Sequence, residues 1–284
     1  MNYEKEIIEK VSKTLVEAGS TFLADKKRAY ERAIKIEKNP QAKWVLETIL
    51  ENAEIAEKNK SPLCDDTGIP HLLLEIGKNQ SVTGTMIENI KEGVREGLRK
   101  LPGRPMAIQG NEMQRIDQSG GLSSNPADLE IAPIQIRYSE DDKIRLHILM
   151  FGGGPAIRGK TYRVFHKHNI EVVKKEIVEW AKQATAELGC TPCTLGIGIG
   201  RSAFEASSLM VQALVDGNYD EQSEFEQDIT DAVNESKTGA LGLRGDVTVI
   251  GTFAKIGPQR ASGVRIVCLR PCCCFEPRIA TVEL

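Results

Sequence analysis

Apolar residues recur at helical spacing near the start of the chain. Ile7, Ile8, Val11, Leu15 and Val16 form one face, and Ala29, Ala33 and Ile36 continue it past Gly19-Ser20. This predicts helix over residues 3–38 with a break at that Gly-Ser step. A second helix is predicted from Ala42 to Asn59, with Trp44, Leu46, Ile49, Leu50, Ala53 and Ala56 near one side and Lys60-Ser61-Pro62 as its stop. Leu72 to Ile76 reads as a strand, and Thr85 to Leu101 as a helix closed by Pro102-Gly103. Gln118 to Pro126 is rich in Gly, Ser and Asn and reads as an ordered loop. Ile131 to Tyr138 and Ile144 to Phe151 alternate apolar with polar, which predicts paired strands around the turn Ser139-Glu140-Asp141-Asp142.

Gly152-Gly153-Gly154 ends that second strand. Glu171 to Leu188 reads as a helix, followed by Gly189 and the apolar, glycine-broken strand CTLGIGIG. Ala203 to Val215 and Glu221 to Glu235 are helical in pattern, and GALGLRG, VTVIGTFAKIG and GVRIVCLRP read as short strands. No repeat, low-complexity tract or linker interrupts the chain. The expected fold is mixed α/β (α+β), with helices packed around small mixed sheets. It forms a single domain over 1–284 whose helical N-terminal part covers about the first 60 residues.

Composition narrows the class. With 284 residues and 40% hydrophobic content, the chain has enough apolar material for a core without disulfide staples. Lys and Arg number 37 against 40 Asp and Glu, and the net charge of -3 provides no basic field for nucleic acid. No apolar run approaches the roughly 18 residues of a membrane span, and MNYEKEIIEK is too charged for a signal peptide. A soluble, cytoplasmic protein is expected.

The seven cysteines carry the most specific signal: Cys64, Cys190, Cys193, Cys268 and the run Cys272-Cys273-Cys274. Adjacent thiols make a poor disulfide framework, and in a reducing compartment clustered thiols bind metal or do redox chemistry. Cys193 and Cys268 also fit a plain role as small buried apolar residues. Cys190 and Cys193 form a C-x-x-C that could join the terminal run around zinc, in a non-catalytic structural or sensing protein. That arrangement leaves Cys64 without a paired neighbour. Three well-separated cysteines, in PLCDDTG, GCTPCTLGIGIG and RPCCCFEPR, instead suit an iron-sulfur cluster held by three thiolates with one iron open.

PLCDDTG, the glycine triplet, CTPCTLGIGIG, LGLRGDVTVIG and the terminal Cys-rich segment follow the order seen in class I (iron-sulfur) fumarases and L-tartrate dehydratases. The chain most resembles the separate α subunit of the two-subunit forms, and over nearly its whole length. The resemblance implies a hydro-lyase that hydrates or dehydrates a small dicarboxylate (fumarate, malate or tartrate) at a [4Fe-4S] cluster. Matched to the family motifs, Cys64 and Cys190 are cluster ligands. The third is Cys272, which keeps the family's spacing from the longer anchor Gly245-Asp246; alignment on Arg278-Ile279-Ala280-Thr281 would give Cys274 instead.

By the same resemblance Asp66 lies by the substrate as a catalytic carboxylate, accepting a hydrogen bond from its hydroxyl. Asp65, where the family usually has Gln, adds a second carboxylate there. Arg104 pairs with a substrate carboxylate, a task for which a planar guanidinium is suited. Gly152, Gly153 and Gly154 either present backbone amides to the anion or form a flexible strand exit. GIGIG at 196–200 lacks the third glycine of a dinucleotide loop. His147, His166 and His168 have no metal-ligand spacing and are expected to be structural or solvated. Single-chain relatives continue into a second domain carrying the base, so the resemblance implies a β subunit and an α2β2 assembly. Neither nucleic acid nor membrane is an expected partner.

Overall fold

The computed structural model describes residues 3–101 and 103–284, so the part of the expected helix stop that falls on Pro102 lies outside the described residues. In chain order the elements begin with α1 (Tyr3–Ser20), α2 (Ala24–Ile36), α3 (Pro40–Asn59), β1 (Ile69–Gly77), α4 (Gly84–Lys100) and α5 (Glu112–Asp117). Next come β2 (Gln135–Ser139), β3 (Ile144–Phe151), α6 (Gly153–Arg158), β4 (Lys160–Phe165) and α7 (Ile170–Leu188). Then follow β5 (Cys193–Gly200), α8 (Ala203–Asp216), α9 (Glu224–Asn234), β6 (Val249–Ile256), β7 (Val264–Cys272) and β8 (Ile279–Glu283). The α/β class with small mixed sheets is as expected. The residues divide into two compact units, each with its own sheet and core.

The first unit comprises residues up to Phe22, Ala53–Gly152 and Arg278–Leu284. Its sheet has the order β2-β1-β3-β8. Ile7, Val11 and Leu15 on α1 and Ile90, Val94 and Leu98 on α4 pack with Leu72, Leu74, Leu146 and Ile148 in one core. Both helices show the one-sided stripe that burial against a sheet requires.

The expected β2–β3 hairpin does not form. Both strands pair with β1, β2 in parallel (Leu73 opposite Gln135) and β3 antiparallel (Ile76 opposite Ile144). The reason lies in how apolar each strand is. β1 buries Leu72, Leu73 and Leu74 in succession, as a central strand does, whereas β2 leaves Ile136 and Tyr138 exposed and suits an edge. β8, not foreseen in the sequence, closes the other edge against β3.

The second unit comprises Leu23–Asn52 and Gly153–Pro277. Its sheet runs β4-β7-β5-β6, and every residue of β5 is buried. Cys193, Leu195, Ile197 and Ile199 point into a core with Ile177 and Ala181 of α7 and Ile229 and Val233 of α9. The alternate residues of β5 face the other way, where a Cβ on Gly196 would meet the Leu214 side chain of α8. GALGLRG is not a strand. Gly239, Leu241, Gly242 and Arg244 all take positive φ there, around the short 3-10 turn Ala240–Gly242. Apolar alternation alone could not reveal a left-handed backbone. Among the described residues, no helix is long and apolar enough to cross a membrane.

Candidate active site

In the first unit the segment joining α3 to β1 carries Cys64, Asp65 and Asp66. Two bonds fix it. Buried Thr67 donates through Oγ1 to the Arg104 carbonyl at 2.8 Å, tying this turn to the Gly-Arg-Pro segment. Buried Arg278 donates through Nη1 to the Asp66 carbonyl at 2.6 Å and through Nε to the Met150 carbonyl at 3.1 Å. Gly68 has φ +78, and a Cβ there would stand 2.5 Å from Arg278 Nη2 and 2.9 Å from the Phe151 carbonyl carbon. Gly68→Ala is therefore expected to cost about 1–3 kcal/mol of strain, seen as a lowered melting temperature.

The functional side chains of this turn are more open. Cys64 is half-buried and its thiol lies 3.5 Å from Asp65 Oδ1. Asp66 is half-buried, while Asp65 is exposed and meets Arg104 Nη1 at 3.4 Å. Cys64, Asp65, Asp66 and Arg104 are thus brought together within this unit. Gly152, which follows β3, is buried.

In the second unit Gly189, with φ +77, ends α7, and Cys190 follows as an exposed residue. Thr191 Oγ1 donates to the Gly239 carbonyl at 2.6 Å and the Leu241 amide returns to the Thr191 carbonyl at 3.0 Å. The left-handed loop is thereby tied to the Cys190 turn. The Cys274 amide donates to the Cys190 carbonyl at 2.9 Å. Cys272 lies in β7 opposite Thr194 of β5 and is fully buried. Burial pushes its thiol well above the ordinary range, Glu276 adds to this, and Arg270 opposes it. The Cys274 thiol is also raised, first by its hydrogen bond with Cys273 and then by burial, with Cys190 adding and Lys26 opposing. Cys193 and Cys268 are buried, as expected, and burial drives the Cys193 thiol upward.

The terminal cysteine loop rests on buried charge. Arg270 Nη2 donates to Glu276 Oε2 at 3.0 Å, with side chains 8% and 0% exposed. From α2, Lys26 donates to the Glu276 carbonyl at 2.8 Å and Tyr30 donates to the Cys274 carbonyl at 2.7 Å. Burial lowers the Lys26 ammonium to about 8, while the neighbouring cysteines and Glu276 pull it upward.

Gly153 and Gly154 open the short helix α6, and a Cβ added at either meets no atom within 4 Å. Neighbouring atoms of the chain therefore do not require glycine at those two positions. His147 Nδ1 lies 2.8 Å from Thr281 Oγ1, the His166 ring bonds the Ser262 carbonyl and the His168 amide, and the His168 side chain is exposed. Among the described residues no group of three or more His, Cys, Asp or Glu is gathered to hold a metal ion. Each unit gathers its own donors: Cys64 on the first, Cys190 with Cys274 on the second. Sequence reasoning did not single out Lys26, Tyr30 or the Arg278 clamp on Asp66. A lone Lys or Arg ordinarily signals a solvated position.

Residues 8–283 match the family model described as "Fumarate hydratase (Fumerase)". A Methanocaldococcus jannaschii protein named "Putative L(+)-tartrate dehydratase subunit alpha" is 30% identical over 274 residues, covering 93% of this chain and 92% of that protein. The Escherichia coli K12 "L(+)-tartrate dehydratase subunit alpha" is 22% identical, covering 83% of this chain and 77% of its own length. A Geobacillus stearothermophilus "Putative fumarate hydratase class I" is 24% identical, and its match covers 89% of this chain but 50% of its own length. With a family model matching almost end to end, this chain belongs to the fumarate hydratase family of hydro-lyases.

Proposed function

We propose that the chain is the α subunit of a cytoplasmic two-subunit hydro-lyase that adds water to, or removes it from, a small dicarboxylate at a [4Fe-4S] cluster. The observation that carries this reading is the hydrogen bond joining the Cys274 and Cys190 backbones. It joins two of the separate cysteine motifs at the backbone, and all seven cysteines are free thiols. Soft thiols suit an iron-sulfur group. Cys193 points into the core, which counts against the zinc arrangement that needs it.

Cys64 and Cys190 are assigned as ligands. Of the two alternatives for the third, Cys272 and Cys274, the assignment is Cys274. Its backbone is bonded to Cys190, whereas Cys272 is sealed within the sheet. When bound, a cluster with one iron free of protein thiolates would supply a Lewis acid for hydroxyl and carboxylate oxygens. The remaining roles fall to the chain. Asp66 accepts a hydrogen bond from the substrate hydroxyl, its backbone held by Arg278. Arg104 binds a carboxylate. Gly153 and Gly154 leave room for close approach by an anion. No residue of the chain stands assigned as the base for the carbon-bound proton. A β subunit would supply it, in keeping with the relatives being named as alpha subunits, and the pair would assemble as α2β2.

Arg104 is already occupied by Asp65, and an incoming carboxylate must displace it. The pair is solvent-exposed, so it is worth about 0.2–1 kcal/mol. Asp65→Gln, which restores the residue usual in the family, is expected to lower KM by up to about fivefold with kcat little changed, in steady-state assays. The reading as a whole is tested by anaerobic reconstitution, followed by assays on fumarate, malate and tartrate with and without the co-expressed partner. About four irons per chain, with turnover only in the pair, supports it. A colourless protein holding stoichiometric zinc, or full turnover by the isolated chain, overturns it.

A further inference from the structure

The segment Cys273–Glu276 is held from one side by α2. Lys26 and Tyr30 sit four residues apart, so they share a helix face, and that face is turned inward, the two side chains being 1% and 0% exposed. Each spends a polar group on the backbone of this segment. The Lys26 ammonium donates to the Glu276 carbonyl at 2.8 Å, and the Tyr30 hydroxyl to the Cys274 carbonyl at 2.7 Å. The Glu276 carboxylate is engaged by Arg270, and the run Cys272-Cys273-Cys274 leads directly into the carbonyl that Lys26 holds. A buried ammonium is costly, and helix packing alone gives no reason for one at this position. A negative group gathered by the cysteines would offset that cost.

We propose that Lys26 and Tyr30 are positioning residues for the cysteine-held group, fixing the Cys274–Glu276 backbone at two points, the Cys274 and Glu276 carbonyls, while the Lys26 charge offsets the negative charge that the thiolates bring. The inference rests on the iron-sulfur reading above and adds to it a device within α2. Partners of this kind behind a ligand commonly govern metal affinity by about 10- to 100-fold and tune reduction potential. Loss of a neighbouring positive charge makes the added electron less welcome, so the potential must fall.

The test compares wild type, Lys26→Met and Tyr30→Phe after anaerobic reconstitution with ferrous iron and sulfide. Three quantities are read: iron per chain, iron retention against a chelator, and midpoint potential by a spectroscopically monitored redox titration. Lys26→Met is expected to weaken retention about 10- to 100-fold and to shift the potential negative. Tyr30→Phe is expected to weaken retention severalfold, to about tenfold at most, with a smaller shift. A purely structural role would lower stability but leave the potential of the loaded fraction unmoved. Wild-type retention and potential in both variants would overturn the inference. Should Lys26→Met not fold by circular dichroism, Tyr30→Phe decides alone, since it removes a single oxygen. A wild-type chain that takes up no iron would instead overturn the iron-sulfur reading, and this inference with it.

Discussion

Cys274→Ser should abolish iron uptake on anaerobic reconstitution, taking the chain from about four irons to nearly none, while Cys272→Ser leaves uptake intact. Both residues lie in one run and both are buried, so the difference is one of placement. Cys272 is the last residue of a strand paired on β5, opposite Thr194, and Arg270 and Glu276 lie in its surroundings. A metal there would have to displace the strand. Cys274 stands two residues beyond the strand end, where the backbone turns and its amide reaches the Cys190 carbonyl. Serine at Cys64 or Cys190 should match the Cys274 result, and serine at Cys193 should not, since that thiol serves the core. Iron and sulfide analysis with visible absorbance reads all five variants. Loss of iron in Cys272→Ser with retention in Cys274→Ser would return the third ligand to Cys272.

What the sequence disclosed follows from how local each cause is. The long helices announce themselves by apolar spacing: the stripe Ile7, Val11, Leu15 that predicts α1 is the stripe its core buries. The partners of β2 and β3 were not legible, because β1 lies between them and pairing is set by which strand is apolar enough for the centre. β4 and β8 carry too little apolar alternation to stand out, and β8 has only five residues. The cysteine motifs were legible because they require particular residue types at turns. Their supports were not. Lys26 reaches a carbonyl 250 residues away and Arg278 one 212 residues away, so neither partner is visible in the neighbouring sequence. The choice between Cys272 and Cys274 is likewise open to spacing arguments, because it turns on where β7 ends.

The largest stability effect is expected at the Arg270–Glu276 pair. One nitrogen, Arg270 Nη2, meets both carboxylate oxygens, at 3.3 and 3.0 Å, and both side chains are almost wholly excluded from water. Removing one partner of such a pair leaves a buried charge without its counter-ion, which typically costs about 3–5 kcal/mol. Glu276→Ala should therefore lower the melting temperature by about 10 °C, as read by calorimetry. The damage should also extend to iron uptake, because the Glu276 carbonyl is the group that Lys26 holds, and the cysteine loop runs directly into it. The double variant Arg270→Met with Glu276→Leu separates charge from shape. Replacing a buried pair by apolar residues of similar size is often neutral or stabilising, so most of the lost melting temperature should return. Recovery of the melting temperature without recovery of iron retention would assign the pair to shaping the cysteine loop. A Glu276→Ala chain as stable as wild type would show instead that water reaches Arg270.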